Sequence, residues 1–378
     1  MKDQRCAAIS IAAALLLAGC SRHTDVKLGF VGPLSGPLAE IGGDMLKGAQ
    51  IAVDELNDEH FVVDGKRTRF ELVVEDDASN ADQGKAAVER LVASKVAGAI
   101  GHFNSGVAIP TAPLFAQAGI PEFSLATNPG YTHMGYPTAF RILADDDAQI
   151  AALVATATNS LKAGHNTMVI DDDSVSGIGI RDIVVKLFRA KHIDIPAATI
   201  PKGADMATFD FSRLVKQVMD TNTHAVIWAG TEEAGVPFLA ALRKAGSNAA
   251  FLGPDGMCSI SAIKHAGDDA GDYYCSIPGV PASWLSNGIN FKNLFQNRFG
   301  SAPGGQAALT YESVHVMAEA MQQAGSTDPH VYIRELKKWS FDGKIQGEID
   351  FDDNGDIKNG AVVIYKAVRG KLVEQTAR

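Results

Sequence analysis

The chain has 378 residues, 34 Lys+Arg against 44 Asp+Glu, a formal net charge of −10 and 46% hydrophobic residues. That length exceeds the roughly 250–300 residues at which one hydrophobic core stops growing, so two core-bearing lobes are expected. An acidic surface without long Lys/Arg runs argues against nucleic acid and against non-specific membrane adhesion, because both partners are anionic and bind positively charged surfaces.

Residues 1–20, MKDQRCAAISIAAALLLAGC, have a short basic start with Lys2 and Arg5, an apolar run to Ala18 and a small-residue exit. This is the layout of an export signal, and the run is too short for a mature membrane span. Leu17-Ala18-Gly19-Cys20 resembles the lipobox of bacterial lipoproteins, which implies cleavage after residue 19 and a lipid on Cys20. The alternative is a simply cleaved signal. Loss of residues 1–19 removes Lys2, Arg5 and Asp3, so the formal charge drops by one to −11. Cys258 and Cys275 remain; in an oxidising compartment they either pair or stay as two buried thiols.

From Val26 onwards, short apolar runs alternate with helical periodicity. Strands are expected at 26–32, 69–76, 97–101, 121–126 and 138–143, with helices at 43–56, 81–94 and 107–117 between them. A second series follows: helix 147–161, strand 167–172, helix 177–190, strand 195–200, helix 209–219, strand 224–230, helix 235–245 and strand 250–256. Mostly apolar strands alternating with helices predict an α/β protein with two doubly wound parallel sheets. Helices at 306–323 and 329–338 come next, then late strands with a tight turn at Asn354-Gly355. In such a design the ligand lies at the carboxyl ends of the strands, in the crevice between the lobes.

Catalytic signatures are lacking. Gly177-x-Gly179 has Asp182 where a dinucleotide fingerprint needs its third glycine, and helix capping explains the pair better. There is no GxxxxGK[ST], GxSxG or HExxH, and the 10 His stand singly, each read as surface or satisfied core. Asp350-x-Asp352-x-Asn354-Gly355 begins like a calcium loop, but Ala361 stands where a bidentate Glu is required, so a turn is the better reading. Asp171-Asp172-Asp173 reads as a solvated strand end that caps the next helix, because consecutive side chains diverge. No metal, cofactor or catalytic residue is expected. Polar groups at strand ends remain. Ser105 either caps the helix that follows or offers its hydroxyl and nearby N–H groups to a carboxylate. Thr127 ends the adjacent strand, and Asp255 ends a strand of the other half.

The segments VGPLSGPLAEIGGDMLKGAQIAVDELN, VVEDDASNADQGKAAVERLVAS, AGAIGHFNSGVAIPTAPLFAQAGIPEFSLATNPGYT and AFLGPDG resemble the branched-chain amino acid binding proteins of bacterial ABC importers, which have the type I periplasmic binding protein fold. The resemblance covers nearly the whole mature chain. It implies two lobes joined by three hinge crossings, with lobe 1 from 25–143 plus 279–355 and lobe 2 from 144–278 plus 356–378. It implies a monomeric, periplasmic carrier, not an enzyme, that serves ABC permease and ATPase subunits. By position, Ser105 resembles the serine that holds the ligand carboxylate, Leu125 and Ala126 main-chain contacts, Thr127 a hydroxyl and N–H contact, and Asp255 the acid that pairs with the α-ammonium. Ile41, Ser176 and Thr231 stand where the family often has aromatic walls, which leaves an amide, urea or small-carboxylate ligand as the alternative. Asn104 replaces the family's lobe 1 cysteine, so any bridge joins Cys258 to Cys275.

Overall fold

The computed structural model describes residues 23–266, 271–279 and 286–375. The lipobox and Cys20 lie outside these residues.

Two large sheets organise the chain. The first has strand order β2-β3-β1-β4-β5-β6, from β1 (His23–Gly32), β2 (Val62–Val63), β3 (Lys66–Asp76), β4 (Ala99–Ile100), β5 (Glu122–Ser124) and β6 (Ala139–Arg141). All its pairings are parallel except the short β2 edge. Because β1 connects outward to β3 and the chain then returns to β4 on the other side, the sheet reverses direction between β1 and β4. That switch point leaves a crevice at the strands' carboxyl ends. Helices α1 (Ala39–Asp58), α2 (Ala81–Ala93) and α3 (Ser105–Ala118) make the crossovers.

The second sheet has the order β15-β14-β11-β10-β9-β7-β8. It contains β7 (Thr167–Asp171), β8 (Ala197–Thr199), β9 (Ala225–Ala229), β10 (Ala250–Gly253), β11 (Tyr273–Pro278), β14 (Val362–Val368) and β15 (Lys371–Gln375). Strands β7 and β9 pair directly, so the second switch point lies between them. Strands β14 and β15 join antiparallel. They are mostly half-buried or exposed, in contrast with the all-buried β7 and β9, as expected at a sheet edge that meets water. The helices are α4 (Asp146–Ala155), α5 (Val175–Ala190), α6 (Ser212–Asp220), α7 (Glu232–Lys244) and α8 (Ile260–Ala266). Helix α4 ends in a π turn over Thr156–Ser160 where a continuous helix to 161 is expected.

Three long elements follow: α9 (Ser286–Phe299), α10 (Gly305–Ala324) and α11 (Pro329–Leu336). They return to the first lobe, and Phe291, Phe295, Val314, Met317 and Tyr332 enter its core. Helix α10 lies against α1 at Gly48, where an added Cβ would fall 2.0 Å from the Ala307 carbonyl oxygen, so only glycine permits this approach. The tail makes two turns rather than one. Glu312 on α10 accepts N–H bonds from Lys344, Ile345 and Gln346 and so fixes the hairpin of β12 (Phe341–Gly343) and β13 (Gly347–Ile349). The Asn354-Gly355 turn follows and is organised by Asp352, whose Oδ1 accepts from the N–H groups of Asn354, Gly355 and Asp356. This oxygen is thus spent on backbone, which fits the turn reading.

The chain passes between the sheets three times: after β6, after β11, and between Phe351 and β14. Phe351 seals the third passage to lobe 1, with its ring 5.7 Å from Phe123 and 5.3 Å from Phe140, both edge-on. Lobe 2 has its own core around Trp228, Phe238, Phe251 and Tyr273. Cys258, just after β10, is joined to Cys275 on β11 by a disulfide with Cα atoms 5.4 Å apart.

Candidate ligand cleft between the lobes

The lobe 1 wall is made by the loops that leave β4 and β5. Asn104, not Ser105, is the N-cap of α3, and its side chain makes no capping bond. Ser105 is the first helical residue, buried, and its Oγ accepts the N–H of Asn128 at 3.3 Å. The first turn of α3 carries no acidic side chain. Among the described residues, no protein acceptor takes the N–H of Ser105 or Gly106. Such free donors at a helix start, with the dipole behind them, suit a carboxylate.

The loop after β5 is held from behind. Leu125 donates its N–H to His102 O at 3.0 Å. Both main-chain groups of Ala126 are engaged: its N–H with Ser124 Oγ at 3.1 Å and its carbonyl with Arg141 Nη1 at 3.1 Å. Arg141 Nη1 also donates to Asn128 O at 2.8 Å. The two bonds flank Thr127, whose carbonyl accepts the N–H of Asp146 at 2.8 Å. The Leu125 carbonyl and the Thr127 N–H therefore remain the main-chain groups open to a ligand, while Ala126 contributes surface rather than a hydrogen bond.

The lobe 2 wall comes from the ends of β7, β9 and β10. Asp172 accepts from the N–H of Ser174 at 3.1 Å and from the N–H of Thr231 at 3.0 Å, tying the loops after β7 and β9 together. Asp171 turns the other way, into a buried set with Thr199 Oγ1 at 2.8 Å and Arg181 Nη1 at 3.1 Å. The three consecutive carboxylates thus diverge. Ser174 caps α5 by accepting the Gly177 N–H at 2.9 Å, which accounts for the glycine pair without a dinucleotide. Ser176 is half-buried in the first turn of α5, and Thr231 is an exposed N-cap of α7. Asp255 opens the 3₁₀ turn Asp255–Met257. Its carboxylate is partly exposed at the cleft and accepts the adjoining Gly256 N–H, at 3.0 Å, with its own backbone N–H also facing it. Burial pushes its pKa up to about 6. Thr231 adjoins this turn, its Cα 3.6 Å from where a Cβ on Gly256 would sit.

The lobes approach closely at this level. A Cβ added to Gly179 of α5 would lie 2.6 Å from Asn128 Nδ2, so Asn128 and Gly179 form a contact across the cleft mouth that sequence reasoning did not pick out. A second unanticipated residue is Asp146, the first residue of α4. It is fully buried, and burial together with the charge of Asp255 pushes its pKa up to about 7, against the opposing influence of the Thr127 hydroxyl and the Arg141 charge. Its sequence signal, one acid among three at 145–147, is indistinguishable from capping. Asp145 does that work by accepting the Ala148 N–H at 2.9 Å.

Behind the cleft, His102 Nδ1 lies 2.6 Å from Asp77 Oδ2, both side chains fully buried, while Nε2 has no partner. This histidine is only half satisfied, a departure from the expected satisfied core. A cavity of ≈ 530 Å³ lined by Glu55, Phe291, Tyr311 and Lys344 shares no residue with the cleft. Among the described residues no helix is long and apolar enough to cross a membrane, and no group of three or more His, Cys, Asp or Glu is arranged for a metal ion.

The periplasmic binding protein family matches residues 25–371. The chain is 30% identical over 360 residues to a Leu/Ile/Val-binding protein homolog 1 of Brucella abortus (strain 2308), covering 95% of this chain and 94% of that one. Its fold superposes on a leucine binding protein, LivK, from Thermotoga maritima with a TM-score of 0.82 at 24% identity, covering 93% of this chain and 98% of that one. It superposes on the branched-chain amino acid transporter substrate binding protein LivJ from Streptococcus pneumoniae, solved with isoleucine, with a TM-score of 0.79 at 25% identity, covering 93% and 100%.

Proposed function

Since the chain belongs to the periplasmic binding protein family, an extracytoplasmic solute-binding family, we propose that it captures an amino acid, branched-chain or closely related, between its lobes and hands it to an ABC permease. The observation that carries this reading is the chemical division of the cleft. Lobe 1 offers free N–H groups and hydroxyls at Ser105, Gly106 and Thr127; lobe 2 offers a poorly satisfied carboxylate at Asp255. A zwitterion complements that division, its carboxylate on the α3 start and its ammonium at Asp255. The Leu125 carbonyl adds an acceptor for the ammonium, and Ala126 lines the wall.

Because each half of the ligand meets a different lobe, binding favours the closed arrangement, the state a permease distinguishes from the empty one. Ile41, Ser176 and Thr231 leave the side-chain end wider than aromatic walls would. We assign 25–143 with 279–355 to lobe 1 and 144–278 with 356–378 to lobe 2, supported by the pairing of β14 with β11. Release of ligand unchanged, a monomeric carrier and a lipid tether through Cys20 complete the reading.

A thermal-shift screen tests it. The twenty protein L-amino acids are set against acetamide, urea and benzoate. The reading expects branched-chain or similar amino acids to raise the melting temperature and the uncharged compounds to leave it unchanged. Stabilisation by urea, acetamide or benzoate alone would replace it.

A further inference from the structure

Gly179, in the second turn of α5, is a glycine that its own lobe does not require. Gly177 on the same helix differs: an added Cβ there would fall 2.7 Å from the Ala229 carbonyl oxygen and closer still to Asp172 Oδ1, so packing within lobe 2 demands glycine. At Gly179, among the described residues and apart from the helix's own backbone, the atoms within 4 Å of such a Cβ are Nδ2 and Cγ of Asn128, at 2.6 and 3.7 Å. Both belong to lobe 1. Glycine weakens a helix relative to alanine, so α5 loses stability at a position whose neighbour lies across the cleft.

Asn128 is not free to turn aside. Its Oδ1 accepts the Gly130 N–H at 2.8 Å as the N-cap of the turn Pro129–Tyr131, and this bond directs the Nδ2 side of the carboxamide at α5. Its backbone is held as well: the N–H donates to Ser105 Oγ at 3.3 Å, and the carbonyl accepts Arg141 Nη1 at 2.8 Å. Asn128 also follows Thr127 directly in the chain. The point where lobe 2 bears on lobe 1 is therefore fixed to the two lobe 1 residues whose hydroxyls the carrier reading gives to the ligand. On the other side, Gly179 lies three residues after Ser176, on the same face of α5.

We propose that Asn128 and Gly179 form the stop that sets how far the cleft closes, so that Gly179 determines ligand affinity without touching the ligand. The inference rests on the carrier reading above and adds to it a residue pair outside the ligand's own contacts. A bare Cα lets α5 settle onto the carboxamide. A side chain at 179 holds the lobes apart, and Ser105 and Thr127 on one wall then no longer reach the same ligand as Asp255 on the other. Packed surfaces register even a single added methyl group. Opening the cleft separates the pair, so the contact favours the closed state, and measured affinity falls with the fraction of molecules able to close.

The test is calorimetry on Gly179→Ala, made both in the wild type and in an Asn128→Ser background. Serine keeps an N-cap acceptor for Gly130 and removes Nδ2. The twenty protein L-amino acids are titrated into the wild type, and the strongest binder is carried through to the variants. We expect Gly179→Ala to bind roughly tenfold or more weakly, while the empty variant melts at or above the wild-type temperature because alanine is the better helix former. In the Asn128→Ser background the same change should weaken binding by less than about threefold. A role confined to α5 would move stability and affinity in the same direction, whatever stands at 128. Gly179→Gln supplies a second measurement: its longer side chain should leave the ligand-saturated protein with a larger radius of gyration than the wild type in X-ray scattering. Wild-type affinity in Gly179→Ala, an equal loss in the Asn128→Ser background, or wild-type affinity and radius in Gly179→Gln would each overturn this inference alone. If the wild type binds none of the twenty, the carrier reading fails, and this inference with it.

Discussion

Arg141 Nε lies 2.8 Å from Asp356 Oδ1, a bond between the end of β6 and a residue 215 positions later in the third passage between the lobes. Arg141 is fully buried, and the same guanidinium clamps the loop that presents Thr127. One side chain therefore links the hinge to the ligand wall. Replacing it with Met should strip the Asp356 carboxylate of its guanidinium, leaving it Thr132 and His133, and take a donor from the carbonyls of Ala126 and Asn128. Loss of one partner of a buried pair costs about 3–5 kcal/mol. Urea unfolding of Arg141→Met should show a loss of that order, and Arg141→Lys should recover only part of it, because an ammonium cannot reproduce the planar fork. Wild-type stability in Arg141→Met would show that the clamp is dispensable.

The disulfide is expected to matter for stability more than for recognition. Cys258 and Cys275 are 17 residues apart, and closing a loop of that size constrains the unfolded chain by about 3 kcal/mol. The double Cys→Ser variant should unfold at correspondingly lower urea, while its ligand affinity changes less than that of a cleft variant. Reductant should lower the melting temperature of the wild type and leave the double variant unaffected.

Much of the fold is legible in the sequence because burial on both faces leaves a plain signal. Strands such as β7 and β9 are continuous apolar runs, and the helices between them show clean periodicity. The segment from Cys258 to Gly305 gives no such signal. Its strand β11 reads as an unremarkable YYCSIP, and its place in the sheet depends on β10 and β14 rather than on local preference. The site divides in the same way. Ser105, Thr127 and Asp255 are found at strand ends because topology puts ligands there. Asn128, Gly179 and Asp146 are not, because their significance lies in contacts across the cleft and in burial, which sequence spacing does not encode.

Stability of the empty protein should carry the mark of Asp146. A carboxyl whose folded pKa is raised binds more protons in the folded than in the unfolded state. Its contribution is present below the unfolded value near 4 and is lost as pH rises toward about 7. Buried Glu122 is shifted in the same direction, so the informative quantity is the difference between wild type and Asp146→Asn. Melting curves without ligand from pH 4.5 to 7.5 should show the variant gaining on the wild type as pH rises. Parallel curves would mean that Asp146 does not titrate in this range.

Ser105 is expected to act on the ligand carboxylate while doing little for the fold. It is not the N-cap of α3, and its hydroxyl accepts the long hydrogen bond from the Asn128 N–H. Ser105→Ala should leave the melting temperature of the empty protein nearly unchanged. A hydrogen bond to a charged group contributes about 1.5–3 kcal/mol, so amino-acid affinity should fall by roughly tenfold or more. Unchanged affinity would move the carboxylate away from the α3 start.

The most direct test of the account is a calorimetric comparison of wild type and Asp255→Ala with the same amino acid. If Asp255 pairs with the ligand ammonium, its removal leaves a buried cation without its charged partner. The expected loss is on the order of 3–5 kcal/mol, more than 100-fold in Kd. Equal affinity in the two proteins would contradict the account.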